Sequence, residues 1–251
     1  MQARAEWGSG FRLAPAELKT LLQAEPVQRR ERIAEAAGAL LGCIDTYAKR
    51  GAGMLADVLG KHAQFEEWAH YPTGDAVDRS SGYSFYYHAH EARQRMRGEH
   101  GHFHVFGPAP APATGRHRSP AGGVPGGATS SYLHIIGISV DDRGFPLRLF
   151  TTNQWVTDER WLPAPTVITT LHRLDLRHAR PVRLARWVEA TTRLFSVQIA
   201  ALLHRRDARV EDKARHIARE RLLADRRTHI LSQCRVDLAS QFQFLEGAGI
   251  G

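Results

Sequence analysis

The chain is short of cysteine, nearly without lysine and free of long apolar runs, and each scarcity removes a class of protein. Only Cys43 and Cys234 occur among 251 residues, far apart and outside any CxxC, so neither a disulfide framework nor a thiolate metal site follows. Both lie in segments that read as helical. No run of 18 apolar residues is present, and the opening MQARAEWGSGFRLAP has no apolar core of signal-peptide length. The expectation is a soluble, cytoplasmic protein with no membrane partner. Loops of the GxxxxGK and GxGxxG kinds are missing, as are GxSxG and HExxH, which withdraws support from nucleotide, serine-hydrolase and zincin chemistry.

What is present is ordinary for a folded chain: 43% hydrophobic and 24% charged residues, with length enough to bury a substantial core. The net charge of +8, carried almost wholly by arginine, permits anionic ligands. It reads as general composition, and nucleic acid is not expected as a partner.

Three regions follow from the patterning, expected to form one folded domain. Residues 1–70 read as helical: Pro15 suits a first helical turn with Leu18, Leu21 and Leu22 on one face. Ile33, Ala37, Leu40, Leu41, Ile44, Tyr47 and Ala48 mark a second helix ending near Gly51, and Met54 to Leu59 a third ending at Gly60. Residues 71–165 form a sheet region. It opens on the turn-rich YPTGDAVDRSSG (71–82), and four strands follow in SGYSFYYHAHE, HGHFHVFG, SYLHIIGISV and FPLRLFTTNQW. Between the second and third lies the insert 107–130, where 11 of 24 residues are Pro or Gly, which reads as a flexible excursion or a lid. Residues 166–251 return to helix, with one stripe from about 182 to 206 and a charged surface helix over 205–235. The fold class is α+β: an antiparallel meander, with cupin-like or barrel-like closure as a variant, flanked by helices at both ends.

The histidines carry the chemistry. Seven of 14 fall between 88 and 134, and five of these lie within His88 to His104. Alternate residues of a strand share a face, so His88 and His90 point together, as do His100, His102 and His104. If these strands pair, the two sets meet at cross-strand spacing, where imidazoles can share an ion. A buried imidazole without such a use needs hydrogen-bond partners for both nitrogens, which makes five on one core face costly. His134 sits in the third strand on the parity of Ile136 and Ile138, either a ligand or a satisfied core residue. His117, within the insert, lies outside the expected site.

Glu91 and Glu99 flank the histidine runs on the opposite strand parity, so each reaches an ion only through a bulge or turn, and otherwise orients an imidazole or faces solvent. Asp75 and Asp78 are candidates for the ring nitrogens turned away from an ion, or caps of the turn they sit in. Asn153 is a further candidate of this kind.

The segments YPTGDAVD, YYHAH, GEHGHFH and LHIIGISVDDRGFPLRLFTTNQWVTDE resemble an uncharacterised bacterial family, a domain of unknown function, over roughly residues 71–206. The resemblance implies that Asp75, Asp78, Asn153, Trp155, Asp158 and Glu159 belong to the family pattern, and it implies no activity. Gly82, His88 and His90 also match the Gx5HxH opening of the cupin metal motif, although no Glu follows at the spacing that motif requires.

The functional expectation is a metal-dependent enzyme: a mononuclear or dinuclear non-haem iron or copper oxidoreductase acting on a small molecule or peptide. A zinc-dependent hydrolase is one alternative. Another is a non-catalytic metal or haem binder (a sensor, buffer or assembly factor) with Tyr86, Tyr87, Phe103 and Phe106 lining a haem pocket. The basic C-terminal helix is compatible with a homo-oligomer.

Overall fold

The computed structural model describes residues 13–60, 65–111 and 130–250. Its aromatic and β-branched runs form a six-stranded antiparallel sheet whose spatial order is the chain order. The strands are β1 (Tyr71–Val77), β2 (Ser84–His88), β3 (Gly101–Pro108), β4 (Tyr132–Val140), β5 (Pro146–Thr152) and β6 (Ile230–Arg235). Since β1 and β6 are separate edges, the sheet is open, and the barrel-like and cupin-like variants do not hold.

Two strands depart from expectation, each for a local reason. β1 lies in the stretch read as a turn because it contains one: Tyr71 faces Tyr87 and Ala76 faces Phe85, so five steps of β1 span two of β2. The surplus bulges out through Gly74 (φ 79°) and Asp75 (φ 58°), a left-handed conformation that a TGD sequence tolerates. β6 lies in the stretch read as a charged helix. That helix stops early, α7 running Ser196–Ala214 and α8 Arg219–Leu223, and ILSQCR then pairs with β5. Cys234 is therefore a strand residue; both cysteines are buried and neither is in a disulfide.

The N-terminal helices fall where expected, α1 at Pro15–Ala24, α2 at Val27–Lys49 and α3 at Met54–Leu59. The expected single helix 182–206 is two, α6 (Val182–Leu194) and α7, because Phe195 leaves helical geometry (φ −98°, ψ 18°) and buries its ring at the junction. α4 (Gln154–Thr157) and α5 (Ala164–Leu171) lie in the connection from β5 to β6, and α9 (Leu238–Gly247) follows β6. No helix among the described residues is long and apolar enough to cross a membrane.

Strand alternation gives the sheet two unlike faces. Phe85, Tyr87, Phe103, Val105, Ile136, Ile138 and Leu149 are buried in one apolar core with the helices, Phe103 lying 5.4 Å from Trp187 of α6 between ring centroids. At ~25 cal/mol per Å² of apolar surface removed from water, each of these side chains contributes on the order of 2 kcal/mol. The opposite face carries the histidines. Most of the insert, residues 112–129 and with them His117, lies outside the described residues, whereas Gly107 and Pro108 pair with Leu133 and Tyr132 as the end of β3.

Candidate metal centre

The register of β2 against β3 places His88 opposite His102 and Tyr86 opposite His104. His88, His102 and His104 each present one ring nitrogen within 4.8 Å of the others, and all three are deeply placed. The Nε2 atoms of His88 and His102 are 2.7 Å apart.

Hydrogen bonds behind the rings set which nitrogens face one another. His102 donates from Nδ1 to Oε1 of Glu99 at 2.8 Å, so its Nε2 keeps a lone pair toward His88. Two lone pairs cannot sit 2.7 Å apart, so His88 donates its own Nε2 proton here; an ion bonded to both nitrogens at about 2.0–2.1 Å would replace that hydrogen bond. His134 lies with Nδ1 3.1 Å from the Thr152 hydroxyl and Nε2 3.0 Å from Nδ1 of His104. With His134 donating to Thr152 and His104 donating to His134, the Nε2 of His104 also keeps its lone pair. This outer pairing, carboxylate to imidazole and hydroxyl to imidazole to imidazole, is the arrangement that fixes ligating histidines.

Burial keeps these rings neutral. It pushes His102 and His104 well below the ordinary histidine range, assisted by neighbouring imidazoles. It pushes His88 far down in the same way, His134 to about 3, and His90 down more mildly. Neutral imidazoles are the form that binds metal.

Glu99 is itself anchored. Burial pushes its carboxyl up, and the Arg148 guanidinium opposes that by donating from Nη2 to Oε2 at 3.0 Å. Arg148 is also buried and is held by Ser139 and by Gln233 Oε1 at 3.1 Å. β5 and β6 thus steady a carboxylate that steadies a β3 histidine. Gly137, opposite His104, makes room for the Phe150 ring, which a methyl group there would overlap.

The other expected residues are placed as follows. His90, just past β2, stacks on Trp68 at 4.2 Å and has its centroid 5.0 Å from both His88 and His102, at the rim of the cluster. His100 is not brought in. It precedes the first residue of β3, where alternation does not yet hold, and lies against Phe65 with Nδ1 2.5 Å from the Tyr87 hydroxyl. His134 does join the histidine face, against its parity with Ile136 and Ile138. β4 carries an extra residue between Ile136, which faces Val105, and His134, which faces Phe106, and this bulge reverses the alternation.

Among the polar candidates, only Glu99 touches a cluster imidazole. Glu91 pairs with Arg93 at 2.7 Å. Asp78 accepts from Ser80, Ser81 and the His178 amide; burial alone would raise its carboxyl, but these bonds hold it at about 2. It ties the turn to the loop before α6. Asp75 lies 3.1 Å from Nδ1 of His70. Asn153 caps α4 and donates to Leu222 O at 2.9 Å. Glu159 accepts the His134 amide, burial lifting its carboxyl to about 7. Of the aromatics expected to line a pocket, Tyr86 and Phe106 do so, whereas Tyr87 and Phe103 face the helices.

Above the cluster opens a cavity of about 1170 Å³, walled by Trp68 and His70 from the β1 edge and by Trp155 and His229 from the β6 edge. These four residues were not among the sequence candidates for the site. His70 and His229 are isolated in the sequence, and only the sheet order brings them to one opening.

Fold and site together define an α+β protein with a buried histidine cluster that could hold a metal ion. The chain belongs to the family described as Domain of unknown function (DUF6969), whose model matches residues 34–236. That span takes in all six strands and every residue of the cluster. No curated protein and no solved structure matches the chain.

Proposed function

We propose that this protein is a metal-dependent enzyme, with one ion held by the Nε2 atoms of His88, His102 and His104 at the floor of the cavity. The observation that carries the reading is the cluster itself: His88, His102 and His104 bring one ring nitrogen each within 4.8 Å of one another, with the Glu99 carboxylate behind His102 and the Thr152–His134 pair behind His104. A structural site is closed by protein ligands, whereas three ligands beneath a roomy cavity leave positions for substrate. His90 at the rim is positioned to orient what binds there. His134 serves His104 and is not itself counted as a ligand.

Three neutral imidazoles without a carboxylate suit iron, copper or zinc. We read the reaction first as redox chemistry at iron or copper on a small organic molecule, since the walls are rich in aromatic side chains (Tyr86, Phe106, Phe150) that form an apolar enclosure. When bound, such an ion supplies electron transfer and Lewis acidity. The protein's own contribution is to hold three rings neutral, fix their direction and surround the site with apolar side chains. The Glu99–His102 pair favours a second reading, zinc-dependent hydrolysis, because a carboxylate behind an imidazole also raises the basicity that a catalytic zinc site uses.

Elemental analysis of untagged protein, followed by anaerobic loading with Fe(II) or Cu(I) and admission of air, tests this. One equivalent of iron or copper and an absorbance change on oxygenation are expected. One equivalent of zinc instead selects the hydrolytic reading. A Soret band, or no metal taken up at all, overturns both.

A further inference from the structure

Two tryptophans and one arginine stand at the cavity mouth. Trp68 is 51% exposed and has φ of 70°, a left-handed conformation disfavoured for a non-glycine residue. Its amide donates to Ala89 O at 2.8 Å, which pins the strained backbone, and its indole lies flat on His90. An exposed indole on a strained backbone is disfavoured twice over, and it is displayed into the cavity.

From the opposite edge, Trp155 donates Nε1–H to Thr228 O at 2.9 Å and meets His229 at 4.7 Å between centroids. Its polar atom is satisfied, and the ring is left for stacking. The Arg226 guanidinium stands 5.9 Å over this indole and has no carboxylate partner among the described residues. The neighbouring Arg227 is occupied by Asp225 at 2.9 Å. Of the two carboxylates that line the cavity, Asp75 is engaged with His70, and Asp158 sits at the turn that ends α4.

We propose that the cavity captures a planar aromatic carboxylate, its ring against the Trp155 indole, its carboxylate at the neighbouring Arg226, and Trp68 walling the far side. In treating that ligand as the substrate, the proposal rests on the metal-site reading. Flat indole and imidazole surfaces select a flat partner, because rings stack where branched aliphatics touch at few points. A free guanidinium selects a carboxylate, which it meets with two parallel hydrogen bonds. The cavity, at about 1170 Å³, is somewhat larger than the roughly 300–1,000 Å³ usual for small organic ligands, so a fused two-ring acid fits with room to spare.

Isothermal titration of the full chain, zinc-loaded and after EDTA treatment, with 2-naphthoate, neutral 2-naphthamide and cationic 2-naphthylmethylamine tests this. Zinc-loaded protein is expected to bind naphthoate more tightly than the amide and the amide more tightly than the amine. Arg226→Gln weakens naphthoate about 10-fold and leaves the amide unchanged, since only the acid carries the charge that the guanidinium meets. Trp68→Phe weakens both ligands alike, by a smaller factor, and keeps an aromatic side chain at the strained position. Equal binding of acid and amide, a preference for the amine, or no naphthoate binding to zinc-loaded protein overturns the proposal. Arg226-dependent naphthoate binding by a chain that takes up no metal overturns the metal-site reading and leaves the ligand assignment standing. Zinc uptake without naphthoate binding does the reverse.

Discussion

β3 presents two chemistries from one run of residues. Toward the helices it offers Phe103 and Val105, fully buried among apolar side chains. Toward the cavity it offers His102 and His104, almost as deeply buried yet each tied by Nδ1 to a specific partner. The first face needs only volume and apolarity, because dispersion and water exclusion are not directional. The second needs each proton assigned, because a buried polar atom without a partner costs about 1–3 kcal/mol. The same strand therefore serves stability on one side and a site on the other.

Changes on each face should separate these roles. The largest effect belongs to the helix face: Phe103→Ala opens a cavity beside Trp187 and should cost about 3–5 kcal/mol, read in chemical denaturation, with metal affinity per folded molecule unchanged. Loss of metal affinity in the folded fraction would show that the faces are coupled.

Next is Glu159, the buried carboxylate that holds the His134 amide. Its carboxyl sits at about 7 in the fold, above its unfolded value near 4.3, so the folded state takes up the proton the unfolded state has lost. Stability should fall as pH rises from about 4.3 to about 7, by roughly 4 kcal/mol at 1.4 kcal/mol per unit, and be level above. Glu159→Gln removes this slope, and denaturation at pH 5 and pH 8 measures it. A slope that persists in the variant assigns it to other groups.

Smaller still is Glu99→Gln, which keeps the shape but not the charge behind His102. Metal binding should weaken about 10- to 100-fold, as measured by competition with a chromophoric chelator. An unchanged affinity would leave Glu99 a partner of Arg148 alone.

The comparison also explains what the sequence discloses. Regular alternation makes the pairing of His88, His102 and His104 legible, because β2 and β3 run in register without interruption from Ser84 to His88. Legibility ends where alternation does. His100 stands one residue before β3 and turns to Tyr87, while the bulge in β4 sends His134 to the face its parity denies. Neither event has a signature in residue type. The β1 bulge has one, TGD, but that same signal hides the strand around it. β6 is masked by the charged residues before it, and the contributions of Arg148 and Trp68 depend on edges and neighbours that only the assembled sheet supplies.

The central claim is that His102 and His104, and not His100, belong to the metal centre. Cobalt(II) titration of untagged protein, followed by visible absorption, tests it most directly in the wild type, His102→Ala and His100→Ala. The account predicts one equivalent bound by the wild type, essentially none by His102→Ala, and affinity within about twofold of wild type for His100→Ala, whose ring meets Phe65 and Tyr87 among the described residues. Undiminished binding by His102→Ala, or loss of binding on His100→Ala with the fold intact, would contradict it.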